Sequence, residues 1–550
     1  MKFKLTLFTA LLMAPLAISQ AASAADTSPA DWPSYNHDVA GWRFNPDEKT
    51  ISAANASRLV EKWCFPGTGS KETIGVVHAT PSVVAGEVYF GTATFPAFYK
   101  LAPAGTVRWV YRNPARKTVL PADAAIPLTE HLRSSSDLGE LRDILAEWND
   151  GVLKLSATKA EQYAWAVIPA PQSGWKLARR DTVNAEITNT GDTPAGVMLW
   201  IVGDHGWDAV LDTATLAPHE TRTFSCNLRA AFPDRTPKLN PGDVKQVQIM
   251  LAEPVNRPAK PGEKSQAQSY LSPRITKTVS LEVRQITAQG DASEWKRPAG
   301  RLDVPIVENT APAPGKRVRY QLAGDEKTLI YSVLNLPEDW QKGKKYPVIV
   351  EYPGNFFYAP ACYSTGMPEQ CVIGYGMTKG KGAICLGMPF VDRSTGKIAE
   401  NGWGNADDTA DYVMRMVAEV CAKFGGDREN IVLTGFSRGA IACGYIGLRD
   451  DRIAALWKGF HACQHYDGAN WNGSTMPGAI ERAARFQGKA VFQTDNSQDK
   501  FQPVMDVMKT RVTWAQSGLG FHSTAMFLDD RQSSQQLREW FWQLVGNPHK

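Results

Sequence analysis

The sequence predicts an α/β carboxyl-terminal domain, a mainly parallel sheet with helices on both faces, preceded by all-β modules. Three observations carry that prediction. Beyond residue 316 short β-branched runs alternate with helical periodicity, as in folds that cover a parallel sheet with helices. Before it the chain is rich in alternating strands, turn formers and tryptophan, with little helical pattern. Within the α/β part, Ile431-Val432-Leu433-Thr434 runs into Gly435-Phe436-Ser437-Arg438-Gly439 and then into the small residues Ala440-Ile441-Ala442-Cys443. A strand, a G-x-S-x-G turn and a helix start in that order place a serine hydroxyl at the tip of a sharp bend.

Taken in order, Met1–Ala25 has a basic start, an apolar stretch from Leu5 to Ile18 and small residues at Ala22-Ser23-Ala24. This pattern predicts an export signal cleaved near Ala24-Ala25 and a secreted or periplasmic protein with no membrane segment after its removal. Residues 26–118 read as short strands, with Asp31-Trp32-Pro33 opening them and Gly105-Thr106-Val107-Arg108-Trp109 closing them. This segment resembles the opening of pyrroloquinoline-quinone dehydrogenases and covers about one propeller blade, where propellers need several. No quinone-binding set accompanies it, so a stranded accessory module is expected.

Residues 119–300 predict an all-β sandwich. Thr182–Thr190 alternates, Gly191-Asp192 turns, and Gly196–Val202, Thr221–Leu228, Val244–Leu251 and Thr276–Val283 follow as strands. In pattern this resembles the galactose-binding-like sandwiches attached to secreted carbohydrate-active enzymes. Trp165, Trp175, Trp200 and Trp207 are candidate sugar platforms, against the ordinary expectation that sandwich tryptophans are core. Residues 301–316 close a Pro- and Gly-rich stretch that begins at Gln289 and is expected to be a linker.

In 317–550, Arg317–Leu322, Leu329–Leu336, Tyr346–Tyr352, Gly382–Val391 and Ala454–Phe460 are expected strands. Asp408–Phe424 is an expected helix whose Val413, Met416, Val417 and Val420 share a face, stopped by Gly425-Gly426. Lys489–Gln493 precedes Asp495 and Asp499, and Gln535–Val545 is a final amphipathic helix.

Formal charge is +4, from 60 basic and 56 acidic residues, without a basic block, which argues against nucleic acid as a partner. The eight cysteines include no C-x-x-C, so a cysteine metal or redox site is not expected. Cys362 and Cys371 are the best candidates for a disulfide in an exported chain.

The serine turn needs an acid and a histidine after it in the chain. Asp499, in Asp499-Lys500-Phe501-Gln502-Pro503, is the expected acid, with Asp495 as the fallback. His522 is the expected base, although an eighth strand at Phe521–Leu528 would leave no histidine in the loop beyond it. The runs 435–443, 465–468 and 521–530 resemble a group of secreted bacterial α/β-hydrolase proteins related to prolyl-oligopeptidase-type and esterase-type enzymes. That resemblance spans most of 316–550 and implies Ser437 as nucleophile and His522 as base. Oxyanion donors are expected from the amide of Arg438 and from Asn355 or Phe356, since Pro353 has no amide hydrogen. Tyr352, Phe357, Tyr358, Trp403, His461, His465 and Asp467 are candidate pocket residues, and no metal or cofactor is expected. The expected function is a serine hydrolase acting on a small-molecule or polysaccharide-linked ester. The alternatives are a serine peptidase, a non-catalytic binding protein on a degenerate fold and, last, a quinone-dependent dehydrogenase.

Overall fold

The structure is a computed structural model that describes residues 31–38, 41, 43–67, 74, 76–93, 97–112, 125–204, 208–257, 268–359, 362–519, 522 and 527–546. The expected export signal and Trp207 lie outside the described residues. Among those residues no helix is long and apolar enough to cross a membrane.

The chain divides into two units, Met1–Val119 and Leu120–Lys550. The first contains a four-stranded antiparallel sheet, Ser82–Val84, Glu87–Thr92, Ala97–Leu101 and Val107–Arg112, each strand paired with the next. Phe90, Tyr99 and Leu101 are buried, with Phe65 set edge-on against Phe90 and Tyr99. The last strand leaves Val107, Trp109 and Tyr111 exposed.

The second unit begins with two antiparallel six-stranded sheets stacked face to face. Four of their strands matter below: β1 (Ala164–Pro169), β2 (Thr182–Asn189), β3 (Ala195–Gly203) and β4 (Val244–Arg257). β2 lies in one sheet; β1, β3 and β4 lie in the other. Val183, Ala185 and Ile187 of β2 meet Val197, Leu199 and Ile201 of β3 in the sandwich core. β2 alternates between half-buried and buried positions, whereas all nine residues of β3 are buried. The second face of β3 is covered because Met198, Trp200 and Val202 pack with Trp165, Met250, Phe356, Tyr358 and Tyr363.

The stretch expected to be a linker is laid down on the fold. The Leu302 amide donates to the carbonyl of Leu528 at 2.7 Å, and Val304 is buried with Val372, Tyr375 and Leu528. Its end forms β5 (Val307–Glu308), which pairs with the strand that follows. Backbone pairing and apolar burial therefore fix a segment whose prolines and glycines alone suggest a tether.

A nine-stranded mixed sheet completes the unit. Its further strands are β6 (Arg317–Tyr320), β7 (Ser332–Asn335), β8 (Tyr346–Tyr352), β9 (Ile384–Gly387), β10 (Gly426–Phe436), β11 (Gly459–Cys463), β12 (Ala490–Thr494) and β13 (Val512–Ala515). The spatial order is β5-β6-β7-β9-β8-β10-β11-β12-β13, and the six strands from β9 to β13 are parallel. Six helices bear on the argument: α1 (Ile373–Thr378), α2 (Ala406–Lys423), α3 (Arg438–Tyr445), α4 (Met476–Ala483), α5 (Gln498–Val507) and α6 (Gln532–Val545).

Successive strand residues enter different clusters, as a pleated strand requires. Val348, Val350, Ile431 and Leu433 join residues of α2, α3, α4 and α5. Ile349 and Val432 join residues of α1 and α6. α2 starts under its Asn405 cap, which accepts the amides of Asp407 and Asp408, and places acids in its first turn and Lys423 in its last.

One boundary differs from expectation. Ala454 ends a short helix, Asp451–Ala454, and the strand there starts only at Gly459. Among the described residues the last strand of the sheet is Val512–Ala515, and His522 follows it in the chain. Of the conditional eighth strand Phe521–Leu528, Phe521 and residues 523–526 lie outside the described residues.

Candidate active site

β10 delivers Ser437 and α3 leaves from it. Ser437 has φ +54° and ψ −115°, a conformation a non-glycine residue holds only when its surroundings enforce it. The flanking glycines show how the turn closes. A Cβ on Gly435 would lie 2.2 Å from the Gly439 backbone, and one on Gly439 would lie 2.0 Å from the Tyr352 carbonyl oxygen. The Ser437 amide donates to the Cys463 carbonyl at 2.9 Å, which ties the bend to β11.

Ser437 Oγ lies 2.6 Å from Nε2 of His522, close enough for the hydroxyl to donate to a neutral imidazole. The His522 ring lies against Phe436 at 4.6 Å and beside His465 at 5.4 Å between centroids. Burial, and then the neighbouring His465, bring the His522 pKa down to about 4. At neutral pH the ring is therefore unprotonated and able to accept the serine proton. Ser437, His465 and His522 share a cavity of about 530 Å³ with Asn355, Phe357 and Trp471.

The carboxylates are arranged differently from the sequence expectation. Asp499 is exposed in the first turn of α5, and no hydrogen bond joins it to His522 among the described residues. Asp495 occupies the carboxyl end of β12 at φ +53°, where its carboxylate accepts the Ser517 amide at 2.6 Å and the Gln464 side chain at 3.3 Å. Glu351, buried at the end of β8, accepts the amides of Val372, Ile373 and Gly374 at the start of α1. Burial raises its pKa to about 7 against those three amides.

The oxyanion expectation is narrowed. The Arg438 amide opens α3, where first-turn amides have no partner within the helix. The Phe356 amide already donates to the Glu400 carbonyl at 2.9 Å, so that residue is not a free donor. Asn355 remains, on the wall of the cavity.

The Arg438 side chain, unused in the sequence reading, clamps this loop. Its guanidinium donates to the carbonyls of Gly354, Gly366, Ala399 and Gly402 at 2.9–3.0 Å and lies 4.0 Å from the Phe390 ring centroid. Burial pushes its pKa down to about 9, so it stays charged at neutral pH. A long cation in a run of small residues was the signal available in the sequence.

Of the remaining candidates, His465 and Phe357 line the cavity. Tyr352 is fully buried against Phe390, and Trp403 is buried while stacking on Tyr445 and supporting Trp471 edge-on. Tyr358 faces the sandwich. His461 lies within β11, held by Thr434 and Thr494 hydroxyls at 2.8 and 3.0 Å, and burial lowers its pKa to about 3. Asp467 is 1% exposed, paired with Nε and Nη2 of Arg482 and bonded by Ser474. Both read as structural because every polar atom is spent inside the fold. Cys362 and Cys371 are separate buried thiols, correcting the expected disulfide: Cys362 sits on the cavity wall and Cys371 against the Glu351 carbonyl. Trp471 and Lys500 were missed as lining residues. Trp471 stands in the Gly- and Asn-rich loop after β11, and that setting was its sequence signal.

No family model matches the chain, and no curated protein matches it. Several solved structures that resemble it are esterases. A thermostable esterase is 12% identical, with 67% of this chain and 96% of that chain covered and a TM-score of 0.30. A carbohydrate esterase family 15 glucuronoyl esterase from Caldicellulosiruptor kristjansonii is 16% identical, covering 40% of this chain and 74% of its own, with a TM-score of 0.27. A family 11 carbohydrate-binding module from Clostridium thermocellum is 14% identical, covering 31% of this chain and 96% of its own, with a TM-score of 0.20. All three are remote in sequence and in superposition, and the chemistry of the site is taken from its own geometry.

Proposed function

We propose that this chain is a serine hydrolase of the α/β-hydrolase fold, acting on carboxylic esters through an acyl-enzyme. The 2.6 Å approach of Ser437 Oγ to His522 Nε2 is the observation that carries the reading. Ser437 attacks the acyl carbonyl as His522 takes its proton; the alcohol leaves with that proton, and water then repeats the sequence on the acyl-enzyme. The amides of Arg438 and Asn355 face the developing oxyanion. Ser437 and His522 carry the proton transfer, and among the described residues no hydrogen bond joins the expected acid Asp499 to the imidazole.

The test is labelling with a fluorophosphonate probe. Wild type labels at Ser437, while Ser437→Ala and His522→Ala do not; Asp499→Asn labels within about threefold of wild type, since an exposed carboxylate does not touch the base. Unlabelled wild type beside a labelled control esterase would sink the enzyme reading. In the pH profile of kcat/KM the base must be unprotonated, so the acid limb falls near pH 4 rather than near the usual histidine value. A limb at the ordinary histidine value of 6.5 would mean that burial does not depress His522 in solution.

A further inference from the structure

We infer that the sandwich supplies half of the substrate site, as an apolar subsite for the bulky substituent of the ester; this rests on the hydrolase reading above. A second cavity, about 680 Å³, opens between the sandwich and the mixed-sheet part of the unit. The sandwich contributes the apolar Met198, Leu211, Leu271 and Pro273 and the polar Glu161 and Thr213 to its wall, and the other side is formed by Phe356–Tyr358.

One hairpin contributes to both cavities. Phe357–Ala359 pairs with Cys362–Ser364 as a hairpin. Asn355, Cys362 and Ser364 line the catalytic cavity, whereas Phe356 and Tyr358 pack against the sandwich. Phe357 lines both cavities and is 46% exposed, although its neighbours Phe356 and Tyr358 are 4% and 3% exposed. A half-exposed phenyl ring at the junction of two cavities is a surface that an apolar group can cover on its way from one to the other.

A polar thread runs along the same edge. Gln162 of the sandwich accepts from the Asn401 side chain, whose oxygen in turn accepts from Asn355, the expected oxyanion donor. The Asn355 side-chain oxygen accepts the Gly402 amide at 3.1 Å. The sandwich therefore both walls the second cavity and fixes the residue that addresses the scissile carbonyl.

The chemistry of the walls selects the occupant. Burying the apolar side chains Leu211, Leu271 and Phe357 under a ligand is favourable in proportion to the area covered. Glu161, Thr213 and Asn401 on the same wall can partner a few hydroxyls, but those of a sugar lying over Leu211, Leu271 and Phe357 would be left without partners, at a desolvation cost. Trp165 and Trp200, candidate sugar platforms in the sequence, are 3% and 2% exposed and offer no ring face. The geometry fits an alkyl chain or fused ring attached to the ester.

The experiment uses the whole chain and two variants that fill the cavity from the sandwich side, Leu211→Trp and Thr213→Trp. One arm compares p-nitrophenyl octanoate with p-nitrophenyl acetate; the other compares 2-naphthyl acetate with phenyl acetate. In wild type the kcat/KM ratio favours the larger ester in at least one arm, and either variant lowers that ratio tenfold or more. A fall in the first arm places the acyl group in the subsite, and a fall in the second places the alcohol. Ratios unmoved in both arms, in variants that still label with fluorophosphonate, overturn the subsite. Absence of labelling in wild type overturns the hydrolase reading instead, so the two failures are distinguishable. If one variant does not label, the other decides.

Discussion

The two sheets of the sandwich share a core but not a fate. β2, Thr-Val-Asn-Ala-Glu-Ile-Thr-Asn, alternates because one face meets the core and the other is partly open to water. β3, Ala-Gly-Val-Met-Leu-Trp-Ile-Val-Gly, is buried throughout because its second face is closed by Phe356, Tyr358 and Tyr363. The difference teaches that a continuous apolar strand in an antiparallel sandwich signals a covered outer face. Here that face is joined by more than apolar contact. The Tyr163 hydroxyl donates to the Tyr358 carbonyl at 3.0 Å, the Tyr363 hydroxyl to Gln248 at 2.5 Å, and Arg142 pairs with Glu400 at 2.6 Å while lying over Trp165 and Phe356.

The contrast can be broken by mutation. Trp200→Ala removes a side chain that is 2% exposed on the covered face of β3, and should cost about 3–5 kcal/mol of stability by denaturant unfolding. A loss under 1 kcal/mol would mean that the two halves barely depend on each other. Next in size, Arg142→Met separates the ion pair and the cation–ring contacts while keeping apolar volume. Because the pair is partly solvated, it should cost about 1–2 kcal/mol, and should slow esters about threefold to tenfold through the Phe356–Glu400 link. Stability lost with rates intact would separate the joint from the site. The smallest effect is expected at Glu186→Ala, on the open face of β2, within about 0.5 kcal/mol of wild type. A larger loss there would show that β2 too is covered in solution.

Much of the site was legible because its chemistry is local. The strand, turn and small-residue run around Ser437 sit within thirteen consecutive residues, and close backbone approach forces glycine on both sides of the serine. His522 was placed by chain order. What could not be read locally was whether a loop histidine eighty-five residues away reaches the serine, and which carboxylate, if any, follows it. Asp499 sits in an acid-x-x-x-proline pattern, yet α5 begins at Gln498 and turns that carboxylate outward. His461 and Asp467 read as site residues by type and neighbourhood; only their partners, Thr434, Thr494, Arg482 and Ser474, show that they are spent within the fold. The linker was misread for the same reason, since proline and glycine describe local backbone freedom and say nothing of a pairing partner at Leu528.

The sequence by itself determined most of the strands and the serine elbow, because spacing, apolar periodicity and steric exclusion act over a few neighbouring residues. The tertiary structure alone decided that Arg438 holds the loop at Gly354, that Phe356 spends its amide on Glu400, and that the sandwich walls a second cavity beside the first. These depend on groups far apart in the chain meeting at hydrogen-bond distance, and no local pattern encodes such a meeting.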